Sequence, residues 1–158
     1  MYQSILVPLD GSHTAALALD HAVAIAEKFR ATVHLVRVVH TLAELADVTA
    51  PSLATSAATS QDVVSREEAS REFEEARHDL QARCDELQAR GVVTDNRVRA
   101  GEPAAQIMVA ARDSGAGLII LTAYGAGGAH TRNPGAVYGG VADEVLRQSR
   151  VPVMLIRP

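Results

Sequence analysis

The sequence predicts one α/β domain over residues 1–158, built as a doubly wound sheet of five parallel strands in the order 3-2-1-4-5 with helices on both faces. Short Val/Ile/Leu runs, typical of strands buried on both faces, alternate with segments of helical periodicity. A length of 158 residues suits a single core. Right-handed crossovers between parallel strands then make this order the natural one.

The first strand and helix follow from the N-terminal sequence. An apolar run from Ile5 to Leu9 predicts a buried strand, which Asp10-Gly11 closes with a turn. Ser12 is suited to cap the helix that follows. The inner side of that helix is predicted from apolar residues spaced three and four apart, namely Ala15, Leu19, Ala22, Ala26 and Phe29. A second strand is predicted from Thr32 to Val39.

The composition changes after the second strand. Residues 40–62 are rich in Ala, Thr and Ser and contain Pro51, which predicts a flexible surface loop. A long charged helix is predicted from about Asp62 to Arg90, with Gly91 ending it. Its inner side is predicted from a second apolar set, namely Phe73, Ala76, Leu80, Cys84 and Leu87.

A third strand, a helix and a fourth strand come next. The segment from Val92 to Arg99 is polar for a strand, which favours an edge position. Pro103 opens a helix. Its predicted inward residues are Ile107, Met108 and Ala111. The apolar run from Gly117 to Thr122 predicts a buried fourth strand.

The C-terminal part begins with a glycine-rich stretch from Gly125 to Gly140. A helix through Val141, Val145 and Leu146 is predicted after it. The fifth strand is predicted at Val151–Arg157. Because an exposed strand this apolar favours pairing with another chain, we expect a homodimer that forms through it.

Composition excludes several classes of protein. The net charge of −4, from 15 basic and 19 acidic residues, disfavours a nucleic-acid partner, which usually leaves a basic stripe. No apolar run approaches the roughly 20 residues that span a bilayer, and the first residues lack a basic segment. A single cysteine cannot form an internal disulfide, and the six histidines lack the spacing of a metal site. We therefore expect a cytoplasmic protein with no membrane or nucleic-acid partner and no structural zinc site.

The predicted sheet points to one place for a ligand. In this strand order, ligands bind beyond the carboxyl ends of strands 1 and 4, where the winding direction reverses. Pro8-Leu9-Asp10-Gly11 follows strand 1, and a stretch holding six of the 11 glycines follows strand 4 and precedes a helix. Main-chain amides and a helix N-terminus can bind phosphate. The alternatives are a glycine-rich loop with no ligand, and Asp10 as a turn residue.

The two best-known nucleotide signatures are absent from the sequence. No G-x-x-x-x-G-K-[ST] occurs, the only lysine is Lys28, and G-x-G-x-x-G does not follow the first strand. A phosphate loop in this chain would therefore depend on amides, a metal ion or an arginine such as Arg132.

Three stretches together resemble the universal stress protein family. They are Ile5-Leu6-Val7-Pro8-Leu9-Asp10-Gly11-Ser12, Gly101-Glu102-Pro103, and the segment from Gly139 to Leu146 with Val151 to Ile156. The resemblance implies the doubly wound sheet of the adenine nucleotide alpha hydrolase-like class and a cytoplasmic homodimer. The family's ATP-binding branch carries G-x-x-G-x9-G-[S/T] after strand 4, which holds the phosphates.

Carried over by position, the resemblance implies that Asp10 contacts the nucleoside and that Val38 lies near the adenine. Gly125 and Gly139 match the second and third glycines, whereas Thr122 and Gly140 stand where the pattern has Gly and Ser/Thr. The interval from Gly125 to Gly139 holds 13 residues, and counting from Gly128 leaves ten. The full set of nucleotide-binding candidates is Pro8, Leu9, Asp10, Val38, Thr122, Gly125, Gly127, Gly128, Gly139, Gly140 and Val141.

The function that the resemblance implies is regulatory binding of an adenine nucleotide, ATP or AMP, in the stress response. A divalent ion such as Mg²⁺ would bridge the phosphates, since few cationic side chains are available. We expect that the protein is not an enzyme and that it hydrolyses the nucleotide little or not at all, because no general base is evident near the loop. The alternative is a nucleotide-free dimeric protein whose glycine-rich segment or loop at 40–61 contacts a protein partner.

Overall fold

The computed structural model describes residues 2–39, 60–125 and 138–157. The strands of this part of the chain are β1 (Ser4–Pro8), β2 (Thr32–Val39), β3 (Thr94–Ala100), β4 (Leu118–Thr122) and β5 (Val153–Ile156). Its helices are α1 (His13–Phe29), α2 (Ser60–Ala89), α3 (Pro103–Asp113) and α4 (Gly140–Gln148). All neighbouring strands pair in parallel in the order β3-β2-β1-β4-β5, which confirms the predicted fold class.

The described core lies on both faces of the sheet. On one face, α1 and α2 pack over alternate residues of β1 and β2, such as Val7 and Val33. On the other face, α3 and α4 cover Leu6 and Val36. All five residues of β4 are buried, as expected of a strand that is covered on both sides.

The ends of the helices follow local chemistry. The Ser12 hydroxyl accepts a hydrogen bond from the Ala15 amide at 3.1 Å, which confirms Ser12 as the cap of α1. Gly91 adopts φ +82 just after α2, a conformation that favours glycine. Pro103 stands in the first turn of α3, where its missing N–H costs nothing.

One of the predicted inner positions is wrong, and the start of α4 is also exposed. Phe29 is 44% exposed, because it lies at the last residue of α1 and packs edge-on against Tyr2 at 5.6 Å between ring centroids. Val141 is 39% exposed, because α4 turns Ala142 and Val145 toward the sheet. Phe73 is half-buried, whereas the other predicted inner residues of α2 are buried.

The helix that follows the predicted loop begins earlier than the sequence suggested. Residues 40–59 lie outside the described residues, but α2 already begins at Ser60. Extending an established helix by polar residues costs only tenths of a kcal/mol per residue, so a polar composition did not mark the boundary. The other predicted bounds differ by at most two residues, as at β3 and β5, which begin at Thr94 and Val153 and not at Val92 and Val151.

The register of the sheet separates the carboxyl ends of β1 and β4, and we call the space between these two ends the crevice. β1 pairs with β4 at Ile5–Leu118 and Leu6–Ile119. Farther along, β1 continues its pairing with β2 to Pro8–Val36, and β4 continues with β5 to Thr122–Ile156. The carboxyl ends of β1 and β4 thus pair away from each other, at the point where the winding direction reverses.

The cap of α3 gives a test of the fold's energetics. The Glu102 carboxylate accepts hydrogen bonds from the Ala104 amide at 3.0 Å and the Ala105 amide at 2.7 Å. We expect Glu102→Ala to lower the free energy of unfolding by about 1 kcal/mol, since it leaves two helix N–H groups uncapped. Urea unfolding of the variant and of the natural sequence measures this difference in free energy. The control, Glu144→Ala, removes an exposed α4 carboxylate that bonds Gln148, and an equal loss there would contradict the cap's role.

Candidate functional site

The turn after β1 fixes the Asp10 carboxylate. Asp10 Oδ1 accepts from the Ser12 amide at 3.0 Å and from the Ser12 hydroxyl at 2.6 Å. Gly11 between them adopts φ +81, the left-handed conformation that L side chains rarely take. The tight turn therefore holds the carboxylate in place, although Asp10 itself is exposed.

Gly125, just beyond β4, meets this carboxylate. A Cβ placed on Gly125 would collide with Asp10 Oδ2 and would lie 3.3 Å from Asp10 Cγ. The carboxylate thus lies directly against the Gly125 main chain, across the crevice between the two strand ends. Two candidates predicted from distant parts of the sequence are brought together here.

The start of α4 joins the same place. The Gly139 amide donates to the Ala123 carbonyl at 2.8 Å, which ties the helix N-terminus to the end of β4. Gly139 caps α4 without a side-chain hydrogen bond. Among the described residues, nothing lies within 4 Å of a Cβ built on Gly140. Within that part of the chain the first amides of α4 receive no side-chain cap from Gly139, and they lie in a region of partial positive charge.

A second link between the two loops was not predicted from the sequence. The Thr14 hydroxyl donates to the Tyr124 carbonyl at 3.3 Å and also lies 2.9 Å from the Ser12 hydroxyl. The β1–α1 turn and the end of β4 are thus joined by hydroxyl groups as well as by Asp10. Thr14 carries no recognisable sequence signal, because hydroxyl residues in a first helical turn are commonplace.

The other candidate residues differ in how far their side chains are buried. Leu9 is 7% exposed and its amide donates to the Val36 carbonyl at 2.8 Å, and Thr122 is 9% exposed. The burial of these two side chains leaves little of either exposed to a ligand. Pro8 is half-buried at the end of β1. Val38 is partly buried on the α3/α4 face of β2.

Part of the predicted site cannot be placed. Gly127, Gly128 and Arg132 lie outside the described residues, so both registers of the glycine motif stay predictions. In the ranges that are described, no group of three His, Cys, Asp or Glu side chains could hold a metal ion. Within those same ranges, no helix has the length and apolar character needed to cross a membrane.

A cation beside the β1–α1 turn was also missed by the sequence reasoning. A Cβ on Gly11 would lie 2.9–3.0 Å from Nη1, Nη2 and Cζ of Arg37. Arg37 Nη1 also donates to Asp79 Oδ2 of α2 at 3.2 Å. An arginine inside the apolar run of a strand gives no sign of such long-range contacts.

Comparison with known proteins gives the family. The profile described as the universal stress protein family matches residues 1–157. Universal stress protein MJ0531 of Methanocaldococcus jannaschii is 29% identical over 157 residues, covering 99% of this chain and 83% of that protein. The structure of protein MJ0577 superposes with a TM-score of 0.77 at 25% identity, covering 100% of this chain and 97% of the other.

Two more distant structures share the fold and contain nucleotides. One is a universal stress protein in complex with cAMP, with a TM-score of 0.61 and 21% identity over 99% of this chain and 97% of that one. The other is a universal stress protein family protein of Arabidopsis thaliana with AMP bound, with a TM-score of 0.61 and 14% identity over 98% and 91%. With the profile match extending over almost its whole length, the chain belongs to the universal stress protein family.

Proposed function

We propose that this chain binds an adenine nucleotide between the carboxyl ends of β1 and β4 and acts by that binding as a regulator in the stress response. The observation that carries the proposal is the meeting of the Asp10 carboxylate, the Gly125 main chain and the start of α4 at one crevice. Relatives with cAMP and with AMP bound support it.

The residues present fit such a ligand. The start of α4, where no described residue lies within 4 Å of a Cβ on Gly140 and Gly139 provides no side-chain cap, suits a phosphate group. Asp10, as an anion, would repel phosphates and is suited to the hydroxyl or amino donors of the nucleoside. In the proposal Val38 borders the adenine, and the amides of Gly125, Gly139, Gly140 and Val141 hold the phosphates together with Gly127 and Gly128. Mg²⁺ would neutralise phosphate charge.

We propose that hydrolysis of the nucleotide is slow or absent. The Asp10 carboxylate at the crevice accepts from both the amide and the hydroxyl of Ser12. Those hydrogen bonds favour its charged form and hold it in place, so it is poorly suited to move toward an attacking water. The proposed role is accordingly regulatory binding rather than catalysis.

The proposal includes a homodimer joined through Val151–Arg157. β5 is an edge strand, and all four of its apolar residues are half-buried. Such an edge favours pairing with the same strand of a second copy. We place the protein in the cytoplasm, without nucleic acid or membrane as partner; the buried free thiol of Cys84 is compatible with that reducing compartment.

The same edge strand supports a second candidate function, a dimeric interaction protein that binds no nucleotide. Calorimetry on protein freed of co-purified nucleotide separates the two. We expect heat of binding with ATP or AMP at micromolar concentrations. Mg²⁺ should strengthen the binding of ATP more than the binding of AMP. No heat with ATP, AMP or cAMP at high micromolar concentrations would contradict nucleotide binding and favour the interaction protein.

A charge-removing variant tests the role of Asp10. Asp10→Asn keeps an acceptor oxygen but loses the carboxylate charge, so we expect affinity for AMP to fall about fivefold. Asp20→Asn is the matched control, because Asp20 is an exposed carboxylate of α1 whose ion pair with Arg90 spans 3.8 Å. Equal affinities of the two variants in the same titration would remove Asp10 from the site.

A further inference from the structure

The Arg37 guanidinium lies flat against the turn that carries Asp10. Three of its atoms lie at nearly equal distances, 2.9–3.0 Å, from the position of a Cβ on Gly11. Equal distances to Nη1, Nη2 and Cζ mean that the face of the guanidinium plane, and not its edge, is turned toward Gly11. A Cβ on Gly11 would push the guanidinium away from the turn, and the φ of +81 is a separate reason for glycine at this position.

Asp79 supplies the charge that keeps Arg37 there. The Asp79 carboxylate of α2 accepts from Arg37 Nη1 at 3.2 Å and fixes the guanidinium beside the turn. The Arg37 side chain is 22% exposed, so the pair is partly shielded from water.

The turn is therefore held from two sides. β2 and β4 flank β1 in the sheet, and a residue of each flank contacts the turn after β1. Arg37 of β2 packs on Gly11, while the main chain of Gly125 after β4 packs on the Asp10 carboxylate. A shift of the turn toward β2 would carry Asp10 away from Gly125, and the guanidinium blocks that shift.

We propose that Arg37, held by Asp79, is a positioning residue for Asp10: it fixes the β1–α1 turn so that the carboxylate faces Gly125 before any ligand arrives. The inference rests on the proposed nucleotide site, which it deepens. It makes α2, through Asp79, part of what determines nucleotide affinity, although α2 supplies none of the candidate binding residues.

The test is a double-mutant cycle with a matched control. We expect Arg37→Ala to lower AMP affinity about fivefold in the natural sequence and less than twofold in the Asp10→Asn background, because Arg37 acts through Asp10. The control is Arg99→Ala. Arg99 pairs with Asp113 on the opposite face of the sheet, with side-chain exposures of 18% and 42% that resemble the 22% and 40% of Arg37 and Asp79. We expect the two arginine variants to lose similar stability, but only Arg37→Ala to lose affinity.

Hydrogen exchange adds a readout that needs no ligand. The Ser12 amide donates to Asp10 Oδ1, so its exchange reports on the turn. In the Arg37→Ala variant we expect this amide to exchange about tenfold faster than in the natural sequence or in the Arg99→Ala variant. Equal affinity losses in both Asp10 backgrounds, or unchanged Ser12 exchange, would overturn the inference. If the natural protein binds no nucleotide, the proposed function fails, and the Ser12 exchange decides on Arg37 by itself.

Discussion

Gly125→Val is expected to lower adenine-nucleotide affinity about a hundredfold while leaving the fold intact. The Cβ would occupy the place of Asp10 Oδ2, so the carboxylate must rotate away and break its hydrogen bonds to Ser12. Overpacking of this kind costs about 1–3 kcal/mol, and the larger value corresponds to about two orders of magnitude in affinity. Titration of AMP, with thermal unfolding as a check on the fold, measures the effect.

The steric origin of this effect can be separated from a general disturbance of the loop. In the Asp10→Ala background the carboxylate is gone, so Gly125→Ala should cost little stability there and measurably more when Asp10 is present. Gly140→Ala is the control for adding a methyl group nearby, since its Cβ meets nothing within 4 Å. A stability cost of Gly125→Ala that is equal in both backgrounds would contradict the carboxylate contact.

Gly140→Ser is expected to raise ATP affinity about tenfold. The family pattern has Ser or Thr where this chain has Gly140, and no residue in the described ranges lies within 4 Å of a Cβ at that position. A hydroxyl at the start of α4 adds a donor to an anionic phosphate, worth about 1.5–3 kcal/mol when well placed. Adenosine affinity should stay unchanged, because the donor acts on phosphate.

The comparison of Gly140→Ser with Gly140→Ala isolates the hydroxyl. Both variants remove the flexibility of glycine at the first residue of α4 and should stabilise the fold by similar amounts, about 0.5–1 kcal/mol. Only the serine should change the ATP titration. Equal ATP affinities of the two variants, or an equal gain for adenosine, would mean that phosphate does not lie at the start of α4.

The order of the sheet and the meeting of Asp10 with Gly125 could be predicted because they follow from rules of chain geometry. Apolar runs mark the buried strands, right-handed crossovers fix their order, and the carboxyl ends of strands 1 and 4 then lie side by side. Asp10 follows one of those strands and Gly125 the other. Their contact across the crevice is thus a consequence of topology.

The role of Arg37 could not be predicted because it depends on side-chain positions. Arg37 stands in an apolar strand, and its contacts with Gly11 and Asp79 join three elements that are far apart in the sequence. The exposure of Phe29 has a similar origin, since helical periodicity says which side a residue faces but not whether the sheet extends beneath the last turn. The spacing of the glycine motif stays open, because residues 126–137 lie outside the described chain.

The peptide groups of Ala123 connect the edge strand β5 with the start of α4. The Ala123 amide donates to the Ile156 carbonyl at 2.7 Å, and its own carbonyl accepts from the Gly139 amide at 2.8 Å. A strand added alongside β5 therefore acts on a backbone that is two hydrogen bonds from the first turn of α4. If a bound ligand changes the free energy of assembly of two copies, assembly must by thermodynamic reciprocity change the binding free energy of that ligand by the same amount.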